Sequence, residues 1–127
     1  MANEDEVRLV VPATPEFLRL ARVTAAGLAS RLRFSFDEVE DLRLAVDEVC
    51  FGLTGSSGQP GTVEIRFVVG DAGLEIEGRG RFDSGDRRPQ LSEISGLILD
   101  ALVDEHSLGA DGDGPWFRVV KQRRPNG

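Results

Sequence analysis

The stretch from Ser35 to Phe51 constrains the fold of this chain most, because the sequence specifies its start, its buried face and its end. Glu38 follows Ser35 by three residues, which is the spacing of a capping box at a helix start. Gly52 follows the last residue of the pattern, as helix ends prefer. The apolar residues between recur at helical spacing: Val39, Leu42, Val46, Val49 and Cys50. This pattern predicts one amphipathic helix with a single buried face.

Carboxylates are distributed unevenly along this predicted helix. Asp37 and Glu38 lie in the first turn, where the positive end of the helix dipole favours negative charge. Asp47 and Glu48 lie near the other end, where the dipole opposes it. Their position therefore indicates either plain solvation or a functional site.

The charge and composition disfavour several classes of function. The chain has 127 residues and a formal net charge of -7, whereas a general nucleic-acid binder needs clustered Lys and Arg. No run approaches the roughly 18 apolar residues of a membrane span, and the acidic N-terminus does not resemble a secretory signal. Cys50 is the only cysteine, so no intrachain disulfide forms, which fits a reducing cytosol. We expect one cytoplasmic domain, residues 1–127, with no direct nucleic-acid or membrane partner.

A strand and a helix precede the Ser35 helix. The apolar run from Val7 to Val11 ends at Pro12, which predicts a strand near a sheet edge. Thr14 and Pro15 are typical of a helix start, and this helix is predicted to run to about Arg33. Its predicted inner face is formed by Phe17, Leu20, Ala21, Thr24, Leu28 and Leu32.

The second half of the chain combines strands with one further helix. Residues 62–69 and 74–77 alternate apolar and polar side chains around a short glycine-containing turn, which predicts a β-hairpin. The remaining segments are predicted as a charged loop at 78–89, a helix at 91–105, a turn at 107–114 and a strand at 116–121. The order β-α-α-β-β-α-β predicts an α+β fold, in which three helices cover one face of a mixed, mainly antiparallel sheet.

The apolar positions of these elements define a predicted core. Its members come from all three helices and from the hairpin: Phe17, Leu20, Leu42, Val46, Ile65, Phe67, Ile76, Leu97 and Ile98. The third helix is predicted to pack through a stripe that also includes Ile94, Ala101 and Leu102.

Three segments of the chain resemble a known protein family. The first is VVPATPEFLRLARVTAAGLASRLRFSFDEVEDLRLAVDEV, the second is ILDALVDEHSL and the third is FRVVK. They are similar to the opening strand and first two helices, the last helix and the closing strand of the anti-sigma factor serine kinase branch of the GHKL ATPases. The resemblance implies the Bergerat fold, a two-layer sandwich, and a role in regulating a bacterial sigma factor.

The resemblance also allows two parts of the family's ATP site to be compared with this chain. In the family motif E-x-x-x-N, the Glu acts on the nucleophile and the Asn holds Mg²⁺. Glu48 matches the Glu, but the Asn position holds Gly52. In the motif D-x-G-x-G, the Asp accepts a hydrogen bond from adenine. Here Gly78 replaces the Asp, while Gly80 matches the first glycine.

The other two parts of the family's ATP site are also changed. The G-x-G-L turn, whose backbone amides hold phosphates, keeps only Gly96 and Leu97. The family's Gly-Thr before the last strand is Gly114-Pro115, which lacks the hydroxyl. The metal ligand, the adenine acceptor and the hydroxyl are therefore missing, and each lost hydrogen bond to a buried polar group costs about 1–3 kcal/mol. The resemblance implies that ATP and Mg²⁺ are cofactors only if the family function is retained, and that Glu48 is otherwise a solvated carboxylate.

Three functional hypotheses remain open on the sequence alone. The first is a regulatory protein that acts by protein–protein contact, binding a sigma factor or an anti-anti-sigma-type regulator, or forming a homodimer. The second is an active ATP-dependent serine kinase, and the third is a kinase-like fold that binds another small ligand. Under the first hypothesis the partner-binding residues are Arg19, Arg22 and Arg31 on the first helix, since arginine is a frequent interface anchor.

Overall fold

The computed structural model describes residues 5–83 and 88–123, which form an open five-stranded sheet and three helices. The strand order is β1-β2-β3-β5-β4, and each of the four strand pairs is antiparallel. The elements are β1 (Asp5–Pro12), α1 (Pro15–Arg31), α2 (Phe36–Thr54), β2 (Gly61–Val69), β3 (Gly73–Phe82), α3 (Glu93–Leu102), β4 (Glu105–Asp111) and β5 (Gly114–Gln122). The predicted α+β fold is confirmed, and β1 is an edge strand as predicted.

The two faces of the sheet differ because side chains alternate along each strand. The inner face carries buried apolar residues, which the helices cover: Val63, Ile65, Phe67, Leu74, Ile76, Phe117 and Val119. The outer face carries charged side chains, among them Arg8, Arg66, Arg79 and Arg118. This arrangement is the two-layer sandwich that the sequence implies.

The caps of α2 and α3 explain where these helices begin. The Ser35 hydroxyl accepts a hydrogen bond from the Glu38 amide at 3.1 Å, and the Glu38 carboxylate accepts one from the Ser35 amide at 2.8 Å. The predicted capping box is therefore confirmed. The helix end was placed too early, because α2 passes through Gly52 and ends at Thr54. Ser92 caps α3 in the same way, since its hydroxyl accepts from the Ser95 amide at 3.0 Å.

The predicted core is correct for α2 and the hairpin and wrong for α1 and α3. Leu42, Val46, Ile65, Phe67 and Ile76 are fully buried. The other four predicted members are exposed, by 42% for Phe17, 45% for Leu20, 63% for Leu97 and 40% for Ile98.

The physical reason for the error on α1 lies in its small residues. α1 buries Leu18 together with Ala21, Ala25 and Ala29, and these small side chains let it lie close against α2. Phe17, Leu20 and Val23 consequently point away from the buried contact, whereas the predicted Leu28 and Leu32 are partly buried against the core. α3 buries Leu99, so Ile94, Leu97 and Ile98 of its predicted stripe lie on the solvent side. Leu102 of the same stripe is partly buried against the core.

Two segments adopt strand structure that the sequence did not indicate. Gly78 to Phe82 was predicted as part of a loop but continues β3, while residues 84–87 of that predicted loop lie outside the described residues. β4 replaces the predicted helix end and turn, because its backbone pairs with β5 from Glu105 opposite Val120 to Asp111 opposite Gly114. Trp116 on β5 is only partly buried and lies over Gly109 of β4.

Ion pairs organise the outer face of the sheet. Glu6 contacts both Arg8 and Arg66, and these hydrogen bonds hold the pKa of its carboxyl below the usual range. Asp111 contacts Arg79 at 2.7 Å, and that bond, with one from the Asp113 amide, lowers its pKa too. Each of these carboxylates therefore stabilises the fold in its charged form.

These two lowered pKa values predict how stability depends on pH. A carboxyl whose pKa is lower in the folded state contributes stability above its unfolded-state pKa, and this contribution is lost as the pH falls through the folded-state value. We expect the double variant Glu6→Gln, Asp111→Asn to lose less free energy of unfolding than the wild type when the pH is lowered below about 4. Urea unfolding across this range measures the difference, with Asp71→Asn as the control. If the free energy of unfolding falls equally for the wild type and the double variant as the pH is lowered, Glu6 and Asp111 are not the source of the pH dependence.

Within the described residues, no helix is long and apolar enough to cross a membrane.

Candidate functional site

The residues that match the family's catalytic helix lie on one side of α2. Glu48 is half-buried, and Gly52 follows one turn later, so the two positions share a face. That face is directed towards α3, because Gly52 lies beside Gln90 and Leu91 at the approach to that helix. Within residues 5–83 and 88–123, no hydrogen bond or ion pair holds the Glu48 carboxylate.

The space beside Gly52 is filled by the chain itself. The Gln90 amide donates a hydrogen bond to the Gly52 carbonyl at 3.0 Å. A Cβ atom at this position would lie 3.1 Å from the Gln90 carbonyl oxygen and 3.1 Å from methyl carbons of Leu91 and Leu108. An asparagine here would therefore require the segment before α3 and the side chain on β4 to move.

The position of the family's adenine acceptor is covered by an aromatic ring. Gly78 lies in β3 directly opposite Phe117 of β5, and both face the helices. A Cβ atom on Gly78 would lie 2.2 Å from Cε2 of Phe117, which is fully buried. The absence of a side chain at Gly78 thus makes room for the Phe117 ring.

The glycines that match the family's two glycine-containing motifs lie in different environments. Gly80 is buried in β3, and a Cβ atom there would lie 2.4 Å from the Phe82 ring. Gly96 faces open space on α3, and the adjacent Leu97 is exposed to solvent.

Two of the amides at the start of α3 have partners within the chain. The Ser95 amide bonds to the Ser92 hydroxyl, and the Gly96 amide bonds to the Ser92 carbonyl at 3.0 Å. Glu93 adds a negative charge to this first turn. Two amides of the first turn are therefore already bonded within the chain, and the Glu93 carboxylate opposes a phosphate group at this helix start.

Two of the three predicted partner-binding arginines lie together between α1 and α2. Arg19 and Arg22 line a pocket of about 230 Å³, which is also lined by Asp47. Arg22 donates to the Asp47 carboxylate at 2.9 Å, which explains an acidic residue late in α2. The Nε atom of Arg22 is buried without a hydrogen-bond partner among the described atoms.

Cys50 lines the same pocket but is not a nucleophile. Its side chain is buried, and burial together with the charge of Asp47 raises the pKa of its thiol to about 12. A thiol with this pKa remains protonated near neutral pH. The sequence expectation that Cys50 is a small core residue agrees with its burial.

The third predicted arginine, Arg31, belongs to a different surface. It lines a groove of about 570 Å³ together with Arg33 and Arg123. The sequence did not single out Arg33 or Arg123, because the groove joins the end of α1 to the last described residue of the chain. No local pattern could connect these positions.

Comparisons with known proteins identify the relatives of this chain. No family model matches it. It is 34% identical over 113 residues to the serine-protein kinase RsbW of Bacillus subtilis (strain 168). The aligned region covers 87% of this chain and 71% of that protein. Proteins of the same name match at 35% identity in Bacillus pumilus (85% of this chain, 70% of the relative) and at 34% in Oceanobacillus iheyensis (88% and 73%). The chain therefore belongs to the RsbW family, in the anti-sigma factor branch of the GHKL kinase-like proteins that its sequence resembles.

Proposed function

We propose that this chain is an anti-sigma-factor-like regulator of a bacterial partner-switching system, which acts by protein–protein contact with ATP binding weak or lost. Its partners are a sigma factor and an anti-anti-sigma-type regulator, and it acts in the cytoplasm where these proteins function. The observation that carries this proposal is that side chains and backbone of the chain itself fill the space beside Gly52 and Gly78, which the resemblance matches to the family's Mg²⁺ ligand and adenine acceptor.

The residues present do not fit ATP and Mg²⁺. Gly52 offers no oxygen ligand to a metal ion, and Leu91 and Leu108 approach the space that a ligand side chain would need. The Phe117 ring covers Gly78 and accepts no in-plane hydrogen bond from adenine. We therefore assign no catalytic step to Glu48 and treat it as a solvated carboxylate.

Exposed apolar side chains on the helices support a function through surface contact. They are found on each helix: Phe17, Leu20 and Val23 on α1, Phe36, Leu44 and Phe51 on α2, and Ile94, Leu97 and Ile98 on α3. Apolar groups exposed together on a soluble domain are typical of protein-binding surfaces.

We place the principal partner contact at the pocket between α1 and α2. Arg19 and Arg22 lie at its mouth beside exposed Phe51, which combines directional cations with an apolar anchor. The Arg22 side chain as a whole is 29% exposed, so a carboxylate or carbonyl of a bound protein can accept a hydrogen bond from its guanidinium group.

We further infer a homodimer built on α1 and the free edge of β1. β1 pairs with β2 on one side only, and Val7 and Val10 on it are exposed. Exposed Phe17 and Leu20 lie on α1, on the same side of the sheet as Val7. Light scattering during gel filtration measures the mass directly, and Leu20→Glu is expected to shift a dimer towards the monomer.

Reconstitution with purified proteins tests the function. Each alternative sigma factor of the source bacterium is immobilised, and binding of this chain is measured with and without ATP and MgCl₂. We expect one sigma factor to bind equally well in both conditions, and we expect Arg22→Glu to weaken it by about tenfold or more, as the loss of a charged hydrogen bond predicts.

A charge swap separates partner contact from the internal ion pair. Arg22→Glu combined with Asp47→Arg restores the pairing of α1 with α2 but not the original surface. If the double variant binds normally, Arg22 serves only the fold. Transfer of phosphate from ATP to a serine of the antagonist protein would establish the kinase alternative instead, which the retained Glu48 and the named relatives favour.

A further inference from the structure

A groove at one end of the molecule gathers three arginines that form no ion pair with any residue that the structure describes. It is about 570 Å³ in volume and lies between the end of α1, the start of β1 and the turn from β2 to β3. Arg31, Arg33 and Arg123 line it, and within residues 5–83 and 88–123 none of them forms an ion pair. By contrast, Arg66 and Arg118 on the outer face each contact two carboxylates.

The rest of the groove is apolar with a few carboxylates. Its apolar lining comes from Val7, Leu28, Leu32 and Val69, all of them partly exposed to solvent. Asp5 and Asp71 also line it, but they form no ion pair with the arginines. A ligand complementary to this groove must therefore carry both negative charge and apolar surface.

The backbone at Arg33 gives independent support for a ligand. Arg33 has a φ of 64°, and it is the one non-glycine residue with positive φ among the described residues. The chain reverses here after α1, since the Phe34 amide bonds back to the Ala29 carbonyl at 3.1 Å. Glycine is favoured at this left-handed position, and a residue with a Cβ atom is strained there. A strained residue that carries an unpaired charge into a groove indicates a use for its side chain.

We propose that this groove docks an acidic peptide segment of a partner protein, in which Asp or Glu side chains pair with the arginines and apolar side chains contact the floor. The groove is distinct from the α1–α2 pocket, and the proposal does not depend on which protein binds there. Nucleic acid fits less well, because a chain of net charge -7 repels it and because Asp5 and Asp71 lie in the groove.

Fluorescence anisotropy with labelled peptides tests the proposal. The probe is a short peptide in which Leu and Phe alternate with Asp and Glu, and its control replaces every acid by Lys. We expect the wild type to bind the acidic peptide only, with affinity that falls as salt is added. Arg33→Gly is expected to weaken binding by about tenfold, which is the loss of one charge-assisted pair. Arg123→Gln should act in the same direction, while Arg81→Ala at the other end of β3, which is exposed and does not line the groove, leaves binding unchanged.

The thermal midpoint of Arg33→Gly distinguishes docking from a structural role. Because glycine relieves the left-handed strain, this variant should be as stable as the wild type or more stable, although it binds less. A lower midpoint would show that the Arg33 side chain serves the fold, and would overturn the proposal. The proposal would also be overturned if the wild type did not bind the acidic peptide, or if both arginine variants bound it as well as the wild type does. Tighter binding of the wild type to the Lys peptide or to a single-stranded DNA oligonucleotide would overturn it too.

Discussion

Gly78→Asp is expected to destabilise the fold by about 4 kcal/mol or more, although it restores the residue that the family uses to hold adenine. The new Cβ atom would lie 2.2 Å from the Phe117 ring. Forcing side chains into a packed core costs about 1–3 kcal/mol. The carboxylate adds the cost of burying a charge that has no partner, which exceeds that of a neutral polar group by several kcal/mol. Urea unfolding measures the sum.

A double-mutant cycle shows whether the Phe117 ring is the cause. Phe117→Ala alone should cost about 3–5 kcal/mol, because it leaves a cavity in the core. In that cavity an aspartate at position 78 has room and reaches water more easily. The double variant should therefore lose at least about 1 kcal/mol less free energy of unfolding than the two single variants lose in sum, because substitutions of residues in contact are not additive. Additive costs would show that the ring does not determine what fits at Gly78.

ATP binding by these variants tests whether the packing at Gly78 prevents nucleotide binding. Gly78→Asp alone should not bind ATP with Mg²⁺, since Phe117 remains over the site and Gly52 still supplies no metal ligand. Calorimetric titration with ATP, with and without MgCl₂, measures this on any variant that is folded at the temperature used. Micromolar binding by the wild type would contradict the proposal that the nucleotide site is weak or lost.

The sequence predicts most reliably where local chemistry decides the structure. The capping box of Ser35 and Glu38 and the alternation of the hairpin require only near neighbours, and both are found. The resemblance also predicts that Gly52 and Gly78 are replaced motif positions. What fills the space beside them cannot be predicted from the sequence, because Leu108 and Phe117 are brought there by β4 and β5.

The errors on α1 and β4 both come from tertiary contacts that the local sequence does not show. Helical spacing defines two possible apolar faces on α1, and the larger side chains Phe17 and Leu20 favoured the wrong one. The alanine face is buried because small residues allow a closer approach to α2. β4 was missed because its strand structure depends on pairing with β5, whereas its glycine-containing sequence is typical of a turn.

Lys121→Met is expected to destabilise the fold by about 2 kcal/mol through the loss of one buried, charged hydrogen bond. Lys121 is 6% exposed on the inner face of β5. Its Nζ donates to the Leu102 carbonyl at 2.6 Å and lies 3.7 Å from the Asp41 carboxylate. The ammonium therefore neutralises the negative end of α3 and joins that helix to β5 and α2. Methionine keeps most of the packing and removes only the charge and the hydrogen bonds.

Two further variants separate the charge from other effects of Lys121. Lys121→Ala should cost about 1–2 kcal/mol more than Lys121→Met, because it also leaves a cavity. Arg118→Met lies on the same strand but on the outer face, where half-exposed ion pairs contribute about 1 kcal/mol or less.

The position of α3 gives the Lys121 variant a functional consequence. α3 carries exposed Ile94, Leu97 and Ile98, so loosening its C-terminal end should disturb this surface before the sheet unfolds. Hydrogen exchange of Lys121→Met should accelerate at the last turn of α3, while the central β2 and β3 amides remain protected until global unfolding. If Lys121→Met is instead more stable than the wild type, as some buried charges allow, the ammonium is a cost to the fold. The role of Lys121 would then be to position α3 and not to stabilise the fold.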